Sequence, residues 1–425
     1  MNIKELTNKA IHNKTIRNGG LFSVFSFTNR GIGFVLLILL AKFIQPEQYG
    51  ELSLYSTYVE LLGYFVGLST AGYMSVSFFK ETKDNFNKDF SAIFIITVVM
   101  SSILCMILLL FRNQLSVWLK IDVGFLFLGL TTAFMITILQ LNLDYLRIKE
   151  KVSKYGILSC GYAIFNFVFS LFLVVNINFN WHGRVYAQTL SAFLLFFMAI
   201  VCFLRRKMFS FTKNWERYKK ILIWGIPLIP HLISNWVRQG LDRYIIDATH
   251  TTADVGIFSF ALTLSGIIGM VGMAFNATNS VNIYQILSSK IDNREKILKL
   301  KKAERMIMGI YAVSAILVVI GGALLVPIVL PKYSSAIPYM LILSVYQFII
   351  CLYYLVCNYL FYYNATRQLM LITVTSSVLH LILSVIFTRY SLFITASIYI
   401  FSFSYVLFFV HRKSRKLIKE NLPVD

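Results

Sequence analysis

Apolar residues in this chain come in long runs, without the strict alternation of strands or the one-sided stripes of soluble helices. A helix that crosses a bilayer needs about 20 predominantly apolar residues. Twelve stretches meet that length: 20–41, 52–79, 90–111, 123–143, 155–176, 184–204, 221–246, 255–287, 304–330, 334–362, 368–388 and 391–411. The second, eighth and tenth are longer than a crossing requires, which predicts tilt or projection from the membrane. No connector is much longer than 205–220, leaving no room for an extramembrane domain. The first run begins near Leu21 and holds Asn29 and Arg30, with no small-residue cleavage site behind it, so it reads as a retained span. The pattern predicts an all-α polytopic membrane protein with twelve transmembrane helices.

Composition sharpens this. Of the 425 residues, 57% are hydrophobic and 14% charged, with a mean hydropathy of +0.70. A soluble chain carries roughly 25% charged residues. The formal net charge of +21 raises nucleic acid as a partner, but the positions of the charges exclude it. With the N-terminus inside, 31 lysines and arginines fall in the N-terminal arm, the even-numbered loops and the tail, and 6 in the odd-numbered loops. That alternation is the positive-inside signature. It places both termini in the cytoplasm and makes the basicity a matter of topology and anionic headgroups. The five cysteines lie in apolar stretches without a CxxC pair and read as packing residues.

The chain repeats itself. A shift of 206 positions lays Gly50, Ser53, Gly63 and Ala71 on Gly256, Ser259, Gly269 and Ala277, and brings Arg30 to Trp236, two residues from Arg238. Hydropathy and loop positions follow the same shift. A duplication of six spans preserves orientation, so the repeats are expected to be parallel: a bundle over 1–204, a cytoplasmic linker over 205–220 and a second bundle over 221–425.

Charges inside spans are expensive and point to function by default. The seventh span opens "WGIPLIP", where Pro227 and Pro230 remove helical donors and predict a kink. Beyond it, Arg238 with Asp242 and Arg243 with Asp247 stand four apart, the spacing of intrahelical ion pairs. Arg243–Asp247 reads as such a pair near the outer interface. Arg238 and Arg30 lie deeper, where arginines usually face a wet cavity. Glu60 is either a salt-bridge partner of Arg30 or a proton- or sodium-linked carboxylate. Asp242 is the second candidate for ion coupling. Gly266, Gly269 and Gly272 form a small-residue face for close helix contact. His231 and His380 read as satisfied interior histidines. No metal-binding DxD, phosphate loop or HExxH motif is present, and no cofactor is expected.

The segments "GIPLIPHLISNWVRQGLDRYII" and "ADVGIFSFA", with "PEQYGELSLYSTYVELLGYFVGL" in the first half, resemble the central motifs of polysaccharide biosynthesis flippases. These are the Wzx-type translocases of O-antigen and capsule repeat units, in the multidrug/oligosaccharidyl-lipid/polysaccharide exporter superfamily. One departure is "NIYQIL" at 282–287, where relatives often carry a Trp-Pro pair. The resemblance implies two six-helix bundles around a central cavity and alternating access. It implies an oligosaccharide on undecaprenyl diphosphate as substrate, carried across the bacterial inner membrane for O-antigen, lipopolysaccharide, capsule or exopolysaccharide synthesis. A monomer is expected, with membrane lipids and a polysaccharide polymerase as candidate partners. The guanidinium forks of Arg30, Arg238 and Arg243 suit a diphosphate. Two rivals stay open: a drug or cation antiporter of the same superfamily, and a membrane-embedded polymerase or acyltransferase.

Overall fold

The computed structural model describes residues 14–423. Lys4 and Lys9 of the basic arm lie outside the described residues. The first part of the chain forms α1 (Lys14–Phe43), α2 (Pro46–Gly67), α3 (Ala71–Lys80), α4 (Lys83–Leu119), α5 (Val123–Ile148), α6 (Val152–Leu171, ending in a π-helical turn) and α7 (Asn180–Arg205). The second part forms α8 (Trp215–Gly225), α9 (Ile229–Trp236), α10 (Asp242–Thr249), α11 (Thr252–Ser288), α12 (Asn293–Val329), α13 (Ile337–Tyr362), α14 (Thr366–Phe387) and α15 (Leu392–Asn421). Every described element is helical, because a chain in lipid has to satisfy its backbone polar groups within each segment.

Eleven helical stretches of the described residues are long and apolar enough to cross a membrane. The seventh expected span is helical too, but broken in two places. The prolines give a 3₁₀ turn at Ile226–Leu228 between α8 and α9, as their missing donors predict. A π-helical turn, Val237–Leu241, then separates α9 from α10. Nothing in the hydropathy pattern announced that second break.

The chain forms two compact units. One comprises residues up to Phe43 and Leu54–Ile233; the other comprises Ile44–Ser53 and Ser234–Asp425. This division differs from a cut at the 205–220 connector in two ways: α8 and most of α9 pack with the first unit, and the start of α2 packs with the second. Side chains explain both.

In the first unit, α7 packs on α5 and α6, and α1 on α6. Phe90, Ile93, Ile138, Leu141, Phe203 and Ile221 are fully or almost fully buried in one apolar cluster that joins α4, α5 and α7 to α8. Trp224 of α8 lies so close to Gly72 that a Cβ there would meet its ring at 2.3 Å, and the Tyr73 ring stands edge-on to it. Arg217 of α8 pairs with the buried carboxylate of Asp89 and donates to the Asn85 carbonyl at 2.9 Å. Ser77 donates to the other Asp89 oxygen at 2.5 Å. These contacts fasten the connector helix to the first unit.

In the second unit, α13 is the central helix, packed on α11 and α15, and Tyr311, Cys351, Leu360 and Val410 are fully buried around it. Gly269 and Gly272 sit where a Cβ would meet Gln347 Oε1 at 2.5 Å and Cys351 Sγ at 2.4 Å. The expected small-residue face is therefore real for those two. Gly266 faces open space and does not belong to it.

The start of α2 is held by aromatic contacts, Tyr49 with Phe260 and Tyr333, and by the Tyr333 hydroxyl on the Ile44 carbonyl at 3.2 Å. It crosses α11 with almost no space. A Cβ on Gly50 would lie 2.0 Å from the Thr252 carbonyl oxygen, and one on Gly256 would lie 1.8 Å from that of Pro46. One turn further, Ser53 donates to Ser259 at 2.8 Å. Gly50 meets Gly256 and Ser53 meets Ser259, so the residues in contact are those related by the 206-residue shift.

Candidate functional site

The buried charges of the second unit gather where α9, the π turn and α10 pass α14 and α15. Arg238 is 3% exposed. One terminal nitrogen donates to the Thr373 carbonyl of α14 at 2.9 Å and the other to Asn235 Oδ1 at 2.5 Å. The guanidinium carbon lies 5.1 Å from the Phe403 ring centroid of α15, a cation–π distance. Its Nε, also buried, has no hydrogen-bond partner. The second acceptor site at that carbonyl is taken by Ser377, which reaches both Thr373 O and Ser234 O. The group is thus a buried cation held by neutral acceptors and a ring, with unused donor capacity.

Asp242 is 1% exposed, and the expected Arg238–Asp242 ion pair does not form. The π turn is the reason. Its i→i+5 bonding widens the helix between the two residues, so a spacing of four no longer stacks their side chains. Asp242 instead meets His380 of α14, Oδ2 to Nε2 at 2.9 Å. His380 Nδ1 lies 3.0 Å from the Ser402 hydroxyl of α15, which donates in turn to the Tyr399 carbonyl at 3.2 Å. His380 is fully buried, with the Tyr399 ring edge-on at 5.0 Å. The other Asp242 oxygen and the Tyr399 hydroxyl are both buried without a hydrogen-bond partner. His380 is satisfied, as expected of an interior histidine. Its partnership with Asp242 was not legible, since 138 residues separate them.

The remaining candidates lie elsewhere. Arg243 is half-buried on α10, with Nε 3.2 Å from Ser259 and a terminal nitrogen on the Gln239 carbonyl at 2.8 Å. It therefore reaches the serine that meets Ser53. Asp247 is buried and accepts from Thr252 at 2.7 Å. In the first unit Arg30 is exposed on α1 and Glu60 exposed on α2. The suggested Arg30–Glu60 bridge is not formed: Glu60 accepts the Tyr64 hydroxyl at 2.6 Å instead. Tyr64 stands four residues on along the same helix, within reach without crossing to another. Arg184 lies in the first turns of α7 and donates to Asn166 at 2.5 Å. The structure thus brings Arg238, Asp242 and His380 to one set of helices in the second unit, while Arg30 and Glu60 belong to the first.

Eleven spans, a broken seventh helix and a buried charged cluster beside that break define a multi-pass membrane protein of the transporter type of fold. Solved structures agree. An inward-facing multidrug resistance MATE family transporter of the MOP superfamily superposes with a TM-score of 0.72 over 94% of this chain and 95% of its own, at 12% identity. The lipid II flippase MurJ in an inward closed conformation gives 0.69 over 95% and 90%, at 14% identity. At these identities the likeness is one of fold. Among sequences, the chain is 22% identical over 373 residues to "Lsg locus putative protein 1" of Haemophilus influenzae, covering 86% of this chain and 90% of that one. It is 21% identical over 379 residues to an uncharacterized membrane protein of the same organism, covering 86% and 88%. Residues 15–279 match the family described as polysaccharide biosynthesis protein, and the chain belongs to that family.

Proposed function

We propose that this protein is a flippase that carries undecaprenyl-diphosphate-linked oligosaccharides from the cytoplasmic to the periplasmic leaflet of the bacterial inner membrane by alternating access. The observation that carries the reading is Arg238, a buried guanidinium bound by neutral acceptors and an aromatic ring, with no carboxylate partner. An unpaired charge in the interior is strongly unfavourable, and a transported anion supplies the missing charge when the cluster opens. Only the polar headgroup needs that path, because the lipid tail stays in the bilayer. Asp242 and His380 are the proposed coupling pair, because their buried contact at 2.9 Å would break when α14 or α15 moves and re-form when they close. Family membership supports the pathway, and the fold likeness to MurJ supports a lipid-linked substrate. Arg30 and Arg243 are secondary candidates for headgroup contact, and Glu60 for coupling.

The test is reconstitution in proteoliposomes with a polyprenyl-diphosphate oligosaccharide as substrate. Arg238→Lys should retain part of the transport and Arg238→Ala almost none, since lysine keeps the charge but loses the planar fork. Full transport by a well-folded Arg238→Ala would overturn the reading. Transport of organic cations with no effect on the lipid-linked sugar would instead favour an antiporter acting through Asp242. A covalent product would favour an enzyme.

A further inference from the structure

A second feature of the second unit lies outside this cluster. A groove of about 630 Å³ opens between α12, α13 and α15 toward the ends of α12 and α15. Lys301, Glu304, Arg305 and Met308 line one wall at helical spacing, and Ser404, Leu407, Phe408, His411 and Arg415 line another. The floor is Leu352, Leu355 and Val356 of α13. The two walls run antiparallel, yet both change from apolar to basic in the same direction. Met308 leads back to Lys301 on α12, while Leu407 leads on to Arg415 on α15. The result is an oily trough with a cationic mouth.

The charges at the mouth are unbalanced. Glu304 is occupied: Arg415 lies 3.2 Å from one of its oxygens, and the Tyr359 hydroxyl donates to the other at 2.7 Å. Lys301 and Arg305 are exposed and make no ion pair among the described residues. An adjoining depression adds Arg412, Lys416 and Lys419, with Glu420 as the added carboxylate. Six cations therefore face two carboxylates around one opening, above side chains that are apolar and partly exposed, such as Met308 and Phe408.

We infer that this groove is a binding site for an anionic phospholipid, with the headgroup phosphate held by Lys301, Arg305 and Arg415 and one acyl chain lying along Met308, Leu352 and Leu407. Charge and shape both select that ligand. Arginine forks match phosphate oxygens, basic pockets between spans bind anionic headgroups, and an apolar trough continuous with the mouth accommodates the chain attached to them. A soluble phosphate would leave the trough unfilled, and a zwitterionic lipid would bring its own cation to a mouth already rich in them. The site shares no residue with the Arg238–Asp242–His380 cluster, so it stands or falls independently of the transport reading.

The test uses the full-length protein in detergent, with native mass spectrometry counting retained phosphatidylglycerol against phosphatidylcholine of the same chains. Phosphatidylglycerol should be retained in preference. Lys301→Gln with Arg305→Gln should weaken its retention roughly thirtyfold. The matched pair Lys213→Gln with Lys219→Gln, exposed on the connector, should leave it unchanged. Met308→Trp fills the trough with every cation in place and should also displace the lipid. Thermal unfolding without added lipid checks that the variants fold, which the exposure of all three groove positions favours. Equal retention of the two lipids would overturn the inference. So would equal weakening by the groove and connector pairs, which means general surface attraction. Dependence on the groove residues by a polyprenyl phosphate, but not by phosphatidylglycerol, would assign the trough to the substrate and refute the phospholipid site.

Discussion

Replacing Gly256 by alanine tests the contact between the starts of α2 and α11 most directly. The added carbon would sit 1.8 Å from the Pro46 carbonyl oxygen, 2.7 Å from its carbon and 3.0 Å from the Gly50 nitrogen, all backbone atoms. Ordinary contact for a Cβ begins near 3.4 Å. No rotamer change relieves a clash with backbone, so the helices have to separate by about 1.5 Å, and the packing of Tyr49 on Phe260 and the Ser53–Ser259 hydrogen bond loosen with them. Overpacking of this kind costs about 1–3 kcal/mol. Gly272→Ala should cost less, because the nearest atom is the Cys351 sulfur at the end of a side chain. Gly266→Ala meets nothing within 4 Å and should be neutral, or stabilising by up to about 1 kcal/mol through helix propensity. Thermal unfolding in detergent, with membrane abundance alongside, ranks the three. Equal stability of Gly256→Ala and Gly266→Ala would refute the close crossing.

Three further outcomes follow from the buried polar groups. His380→Ala leaves both Asp242 oxygens buried without a partner, so it should lower stability by about 1–3 kcal/mol, measured by the same unfolding assay. Asp242→Asn keeps a hydrogen-bonding group toward His380 and should preserve abundance while abolishing the response of transport to an imposed proton gradient; an unchanged response would place coupling elsewhere, with Glu60→Gln the next variant. Arg217→Ala strands the Asp89 carboxylate, 3% exposed, and should cost about 3–5 kcal/mol, with Arg217→Ala, Asp89→Asn recovering part of the loss in a double-mutant cycle.

Hydropathy alone determined most of the architecture. Runs of apolar residues long enough to cross a bilayer have one way to satisfy their backbone, so eleven crossings were legible without any knowledge of packing. Their extents were not: 52–79 divides into α2 and α3, and α4 runs over Lys83–Leu119 where the apolar run covers 90–111. The break at Pro227 was legible because proline lacks the donor a helix needs. Gly50 with Gly256 and Ser53 with Ser259, positions that the 206-residue shift lays on each other, are contact partners, which no sequence pattern announced. The π turn at Val237–Leu241 was not legible, since an extra residue in a helical turn leaves no compositional trace. That turn decides the site: it parts Arg238 from Asp242, which a spacing of four had joined, and hands the carboxylate to His380. Helix-face arithmetic describes one regular helix at a time. Which charge meets which across α10, α14 and α15 depends on how separate helices are rotated against one another, and only tertiary packing sets that rotation.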